Sequence, residues 1–162
     1  MNYNARFIEL ASEINTSMPH HVVSKITDAL NRKKNSVNGS KILILGVAYK
    51  KDVNDVRESP ALDIIKLLKE KGAEVSYSDP HVPVLMLEDG KSLTSVDLFF
   101  NSSPSASSRV SPRIPEEFDC MVIVTNHSNF DYEAVVNQAE LVVDTRNATR
   151  HVQYGQAEII RL

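Results

Sequence analysis

The chain has 162 residues, a mass of 18.1 kDa and a net charge of −3, and 42% of its residues are hydrophobic. These values are typical of a globular protein and exclude a disordered chain. The acidic balance argues against a nucleic-acid partner, because proteins that bind the phosphate backbone usually carry excess Lys and Arg. No run approaches the ~18 apolar residues of a membrane span. A single cysteine, Cys120, excludes an internal disulfide and is compatible with a cytoplasmic location.

The N-terminal segment carries apolar residues at helical spacing. These residues are Phe7, Leu10, Ala11, Ile14, Met18, Val22, Ile26 and Leu30. The spacing predicts one long helix over residues 4–32, kinked near Met18 because Pro19 falls inside the stripe. Two helices joined at residues 17–21 are the alternative. An apolar stripe of this length needs a surface that covers it, such as a partner chain.

A polar hinge at residues 35–40 separates this helix from the rest, so we divide the chain into a helix, residues 1–36, and a domain, residues 37–162. Residues 41–45, KILIL, are typical of a buried parallel strand. Ser59 and Pro60 predict a helix start, Gly72 predicts its end, and the segment EVSYSD predicts the next strand.

The second half of the chain alternates in the same way after an irregular segment. Residues 84–117 are mostly predicted as loop, with a strand near Leu98–Phe100. Three further elements follow: DCMVIVT as a strand, DYEAVVNQA as a short helix and ELVVD as a fourth strand. The alternation predicts an α/β fold with a mainly parallel sheet flanked by helices.

Polar segments follow all four predicted strands. They are AYKKDVNDVRES, DPHVP, TNHSNFD and TRNATR. Ligands of open α/β sheets bind beyond the carboxyl ends of the strands, so we expect these segments to form one site. Together they supply Lys50, Lys51, Arg57, Arg146 and Arg150, with His81 and His127. This composition predicts an anion site on an otherwise acidic chain.

The first of these loops lacks the glycines of a dinucleotide-binding turn. It reads GVAYKKD, with Gly46 as its single glycine, so its backbone cannot approach a pyrophosphate closely. Lys and Arg side chains can reach a diphosphate from a greater distance. Asp52, Asp55 and Glu58 could hold these cations or bind a ribose, although for Asp52 we favour a solvated loop charge. His20 and His21 face different ways on a helix, and we predict no metal site.

Four segments resemble the carboxyl-terminal half of the UDP-glucose/GDP-mannose dehydrogenase family, and they are most similar to UDP-N-acetylglucosamine 6-dehydrogenases. The segments are RFIELASEINTSMPHHVV, KILILGVAYKKDVNDVRESPALDII, SYSDPHVP and VVDTRNATR. They occur in order at suitable spacing and leave out residues 84–117. The resemblance implies a Rossmann-like fold and oxidation of a sugar C6 alcohol with NAD in the full-length enzymes.

The resemblance also implies roles for individual residues. Tyr49 and Lys50 would touch the nucleotide sugar, Arg146 would contact the UDP-sugar, and Arg57 would reach toward the NAD side of an interdomain cleft. The N-terminal helix would match the family's central helix, which forms a homodimer.

The chain departs from the family pattern in two segments that we do not find in it. These are the Gly-rich NAD-binding domain and the catalytic cysteine that precedes the central helix. Cys120 lies within an apolar strand and is predicted to be a packing residue, and for His127 we favour a structural role in its loop. We therefore predict no catalytic residue, no tightly bound NAD, and a UDP-sugar-binding, dimerising portion of a dehydrogenase that is inactive alone. A separate NAD-binding domain would be its partner, and a stand-alone nucleotide-sugar-binding or regulatory module is the alternative.

Overall fold

The computed structural model describes residues 3–98, 118–153 and 155–162. The elements in chain order are α1 (Tyr3–Arg32), β1 (Lys41–Leu45), α2 (Pro60–Glu70), β2 (Glu74–Ser78), β3 (Val84–Met86), β4 (Ser92–Thr94), β5 (Cys120–Ile123), α3 (Tyr132–Gln138), β6 (Leu141–Asp144) and β7 (Glu158–Arg161). Five strands form one parallel sheet in the order β2-β1-β5-β6-β7. The predicted parallel α/β fold is confirmed.

The sheet is buried on both faces. Ile42 and Ile44 of β1 pack into one hydrophobic cluster with residues of α1 and α2. Leu43 and Leu45 point the other way into a second cluster that includes Val135 of α3. Successive strand residues point to opposite faces, so a strand covered by helices on both sides must be apolar at every position. This explains the uninterrupted apolar run ILIL that follows the exposed Lys41.

Helix α1 is a single 30-residue helix with Pro19 inside it. The alternative of two helices is therefore wrong. Its C-terminal half packs on the sheet, and Ile26 and Leu30 are fully buried there. Residues 6–18 are exposed, including Phe7, which is 75% exposed. No helix in the described part of the chain is both long enough and apolar enough to cross a membrane.

Helix α2 begins and ends as predicted. The Ser59 hydroxyl accepts a hydrogen bond from the Ala61 backbone N–H at 3.3 Å, and Pro60 occupies the first turn. Gly72 follows the helix with φ +84°, a conformation that glycine adopts without steric cost. These local signals fix the length of the connection between β1 and β2.

Two regions differ from the sequence prediction. Residues 84–86 and 92–94 are strand and not loop, because β3 and β4 form an antiparallel hairpin whose Leu85 is buried in the same cluster as Ile42 and Ile44. Leu98 is described but lies in no strand, and the rest of the predicted strand lies outside the described residues. Strand β7 was not predicted, and it adds a fifth parallel strand beside β6.

Candidate functional site

The strand order defines where a ligand crevice would lie. Within the sheet, β2 lies next to β1 on one side, and β5 lies next to β1 on the opposite side. The strand order therefore reverses direction at β1. Ligands of open α/β sheets bind at such a reversal, beyond the carboxyl ends of the strands. Four segments lie there, and we name them the β1 loop (residues 46–59), the β2 loop (79–83), the β5 loop (124–131) and the β6 loop (145–150).

Gly46 lets the β1 loop pack closely against the β5 loop. Its φ is +79°, and a Cβ atom at this position would lie 2.3 Å from the Thr125 carbonyl oxygen. The Thr125 hydroxyl donates to the Ala48 carbonyl at 2.6 Å. The space that a glycine-rich turn offers to a pyrophosphate is thus filled by protein. The described residues do not fit NAD at this loop.

The buried carboxylate of Asp79 connects three of the four loops. One of its oxygens, Oδ2, accepts from the backbone N–H groups of Val47 and Ala48 at 2.7 and 3.1 Å and contacts His127 Nε2 at 3.0 Å. The other oxygen accepts from the His81 N–H at 2.8 Å. Burial raises the pKa of Asp79, but these hydrogen bonds outweigh it and hold the pKa below its usual value. Asp79 is therefore a carboxylate at neutral pH.

His127 lies fully buried between Asp79 and the β1 loop. Its Nδ1 accepts a hydrogen bond from the Asp52 backbone N–H at 2.9 Å. Its backbone carbonyl accepts from the Tyr132 hydroxyl at 3.0 Å, and its ring centroid lies 5.8 Å from that of Phe130. These contacts agree with the predicted structural role of His127 in its loop.

Asp52 is exposed, as expected for a solvated loop charge, but its carboxylate also binds the β5 loop. Its carboxylate accepts from the Ser128 N–H at 2.8 Å and from the Ser128 hydroxyl at 2.7 Å. These two bonds lower the pKa of Asp52. Asp52 also has φ +59°, in the left-handed region that non-glycine residues rarely adopt.

Asp52, His81 and His127 bring three metal-ligating groups within 4.8 Å of one another. However, the Nδ1 lone pair of His127 already accepts the Asp52 N–H, and a metal would have to displace that bond. The Nε2 atom of His81 is buried and has no hydrogen-bond partner among the described residues, and it lies 3.9 Å from Asp52 Oδ1. Two of the three groups, His127 Nδ1 and the Asp52 carboxylate, are thus already engaged in hydrogen bonds within the protein.

Tyr49 and Lys50 lie at the exposed part of the β1 loop. Tyr49 is 43% exposed, and the Lys50 ammonium lies 5.5 Å from the centre of its ring. The Tyr49 N–H donates to the Asp55 carbonyl at 2.7 Å, which closes the loop on itself. This part of the loop therefore presents an aromatic ring and a neighbouring cation to solvent.

Arg146 is exposed in the β6 loop, which a second buried aspartate organises. Asp144 accepts from the backbone N–H groups of Arg146, Ala148 and Thr149 at 3.0, 3.1 and 2.8 Å, and from the Thr149 hydroxyl at 2.7 Å. The Arg146 Nε donates to the Val124 carbonyl at 2.9 Å. The loops that carry Lys50 and Arg146 are thus both hydrogen-bonded to residues 124–125.

Arg57 is held by its own loop. Its Nε and one terminal nitrogen donate to the two carboxylate oxygens of Asp55 at 3.0 and 2.8 Å. These bonds lower the pKa of Asp55 to about 2. Asp55 therefore holds a cation, which is one of the two roles that the sequence suggested for it. That Arg57 reaches toward the NAD side of an interdomain cleft stays a prediction.

Cys120 does not belong to this edge of the sheet. It lies at the amino end of β5, and burial raises the pKa of its thiol well above the usual range. A thiol that stays protonated is a poor nucleophile. This environment agrees with the predicted packing role.

Asp79 and Asp144 are not among the site residues predicted from the sequence. Both stand at the carboxyl end of a strand, in SYSD and LVVD, just before a polar loop. An acidic residue at that point can accept the free N–H groups of the loop that follows. This repeated position was the signal that could have identified both residues.

Comparison with known proteins identifies the family. Residues 43–151 match the UDP-binding domain of the UDP-glucose/GDP-mannose dehydrogenase family. A UDP-N-acetyl-D-mannosamine dehydrogenase from Methanococcus maripaludis is 33% identical over 95% of this chain, and an NDP-N-acetyl-D-galactosaminuronic acid dehydrogenase from Ralstonia solanacearum is 31% identical over 88% of it. The chain spans only 33% and 30% of these two relatives.

Solved structures agree with this assignment. A UDP-N-acetyl-mannosamine dehydrogenase from S. aureus has a TM-score of 0.65 and 26% identity, and the match covers 98% of this chain and 33% of that one. A UDP-D-ManNAc dehydrogenase from Pyrococcus horikoshii has a TM-score of 0.71 at 22% identity, over 95% of this chain and 32% of that one, and so supports the Rossmann-like fold alone. The chain therefore belongs to the UDP-glucose/GDP-mannose dehydrogenase family and carries its UDP-binding domain.

Proposed function

We propose that the chain binds the UDP portion of a nucleotide sugar at the carboxyl edge of the sheet, through Tyr49, Lys50 and Arg146. One observation carries this proposal. The loops that bear Lys50 and Arg146 are both hydrogen-bonded to residues 124–125 at the point where the strand order reverses. The match of residues 43–151 to a UDP-binding domain supports the same site.

The chemistry of the three side chains suits a nucleoside diphosphate linked to a sugar. The guanidinium of Arg146 can donate two parallel hydrogen bonds to phosphate oxygens, and Lys50 acts as a point charge. Tyr49 offers a half-exposed ring face and a hydroxyl. These groups replace the glycine-lined backbone that a dinucleotide would require.

Calorimetric titration with UDP and with a UDP-N-acetylhexosamine tests this site. We expect measurable binding in the high micromolar range, because one domain alone cannot enclose the ligand. Combining Lys50→Ala with Arg146→Ala should abolish it. The matched control combines Lys71→Ala with Arg32→Ala. It also removes one lysine and one arginine, but near the amino ends of β2 and β7 and away from the proposed site. Absence of binding by the wild type, or equal losses in the two double variants, would contradict the proposal.

We further propose that the chain is the substrate-binding portion of an NAD-dependent nucleotide-sugar 6-dehydrogenase, in which Arg57 faces the NAD side. Hydride transfer needs a bound nicotinamide, and the chain's single cysteine is buried away from the proposed site. These 162 residues tested alone should form no NADH. Addition of a separately expressed NAD-binding domain should give NADH formation, whereas a stand-alone binding module would stay inactive even with that domain present.

The single cysteine remains the argument for a cytoplasmic location.

The exposed half of α1 supports a further proposal, that two copies of the chain dimerise through it. Phe7, Ile8, Leu10 and Ile14 are each more than half exposed, although all four are large and apolar. Unpartnered apolar stripes on helices usually contact another chain. Analytical ultracentrifugation should show a dimer at micromolar concentration, and Leu10→Asp combined with Ile14→Asp should give a folded monomer. A wild-type monomer would contradict dimerisation without affecting the UDP site.

A further inference from the structure

We infer that His127 is a positioning residue of the UDP site, and that it acts through the backbone N–H of Asp52. Its ring would hold the β1 loop in the conformation that presents Tyr49 and Lys50. This inference rests on the proposed binding of UDP at that loop. His127 itself is fully buried and does not face the exposed edge where a ligand would lie.

The hydrogen bonds fix the tautomer of His127. The Asp52 backbone N–H can only donate, so Nδ1 of His127 must accept and cannot carry a hydrogen. The hydrogen of the neutral ring is therefore on Nε2, which donates to Asp79 Oδ2 at 3.0 Å. A charged acceptor makes this a strong hydrogen bond that also sets the ring orientation.

The conformation of Asp52 explains why the loop needs this support. A non-glycine residue at φ +59° is strained, and such strain persists only where surrounding contacts compensate for it. Two sets of contacts do so here. His127 binds the backbone N–H of Asp52, and Ser128 binds its carboxylate. Both come from the β5 loop, so the β5 loop determines the conformation of the β1 loop.

The position of Asp52 relative to Lys50 connects this support to the ligand. The β1 loop is fastened at Ala48 by Thr125, at Tyr49 by Asp55, and at Asp52 by the β5 loop. Lys50 and Lys51 lie between the second and third of these points. Loss of the His127 bond would leave the third point to Ser128 alone, so both lysines would move more freely. A freely moving cation loses more entropy when it binds a phosphate.

Two variants of similar size separate the two ring nitrogens. In His127→Asn, the amide oxygen can occupy the position of Nδ1 and accept the Asp52 N–H, but the bond to Asp79 is lost. In His127→Gln, the amide nitrogen can occupy the position of Nε2 and donate to Asp79, but the Asp52 N–H loses its acceptor. We expect UDP affinity to fall about tenfold in His127→Gln and only about twofold in His127→Asn. An equal loss in both variants, or unchanged affinity in His127→Gln, would overturn the inference.

Two NMR measurements on the 162-residue chain need no ligand. The ring nitrogens of His127 should show hydrogen on Nε2 and none on Nδ1. The Asp52 amide should exchange slowly in the wild type and in His127→Asn but rapidly in His127→Gln, while the Val122 and Val143 amides stay protected in all three and so report an intact core. A proton on Nδ1, or a rapidly exchanging Asp52 amide in the wild type, would refute the inference. If the wild type binds no UDP, the proposed function fails, and the exchange data alone decide whether His127 holds the loop.

Discussion

Asp79 and Asp144 are both buried aspartates at the carboxyl edge of the sheet, but they connect different parts of it. The Asp144 carboxylate accepts hydrogen bonds from residues of its own β6 loop. Asp79 accepts bonds from the β1, β2 and β5 loops. The Asp144 carboxylate thus shapes a single loop, whereas the Asp79 carboxylate joins three loops. Replacement of Asp79 should therefore affect more of the structure than replacement of Asp144.

Replacement of Asp79 should have the largest effect. Asp79→Asn places an NH₂ group or a poorer acceptor against three buried donors, from Val47, Ala48 and His127. We expect a loss of roughly 3 kcal/mol in the free energy of unfolding, because buried donors without an acceptor are costly. Urea unfolding measures the loss, and amide spectra should change in all three connected loops. Spectral changes confined to the β2 loop would contradict the claim that Asp79 joins three loops.

Asp144→Asn should have a smaller and more local effect. It weakens bonds to Arg146, Ala148 and Thr149, and we expect a loss of roughly 2 kcal/mol. Urea unfolding and amide exchange are the measurements. The amides of the β6 loop should exchange faster, whereas the Asp52 amide and the His127 tautomer should stay as in the wild type. If amides of the β1 loop also exchanged faster in Asp144→Asn, the effects of the two aspartates would not be independent.

The acid response should sharpen the comparison further. The pKa of Asp79 in the folded protein lies below its ordinary value of 3.8. Its contribution to stability is therefore complete above about pH 4 and is lost as the pH falls through the lower folded pKa. Urea midpoints measured between about pH 5 and pH 2 should fall in the wild type and fall less in Asp79→Asn. Parallel pH curves would show that other carboxylates dominate acid unfolding.

Asp55 should show the smallest effect and serves as an exposed reference for the two buried aspartates. Its partner is the exposed side chain of Arg57, and surface ion pairs contribute little to stability. Asp55→Asn should leave the urea midpoint at neutral pH unchanged within error. A loss as large as that of Asp144→Asn would mean that burial does not explain the ranking.

Most of the sheet could be predicted from the sequence because its strands are buried on both faces. KILIL and DCMVIVT are apolar at nearly every position, and Ser59, Pro60 and Gly72 mark the ends of α2. The β3–β4 hairpin could not be predicted because its strands have only three residues each, too few to show a periodic pattern. Strand β7 escaped because EIIR lies in a short polar segment, and its pairing with β6 depends on the fold.

The site was predictable in location but not in its internal connections. The rule for parallel sheets brings the four loops to one edge without any knowledge of side-chain contacts. It does not say that Asp52 binds Ser128, or that Asp79 reaches residues 47, 48 and 127. These contacts join residues more than 30 positions apart in the chain, so no local pattern contains them.

The continuity of α1 has a mechanical consequence. A helix of 30 residues is about 45 Å long, and its second half is fixed to the sheet by Val22, Ile26 and Leu30. No loop interrupts it between that anchored half and residues 6–18. A molecule bound to the free half would therefore hold the sheet at a set distance and angle, so that reorientation of one would reorient the other.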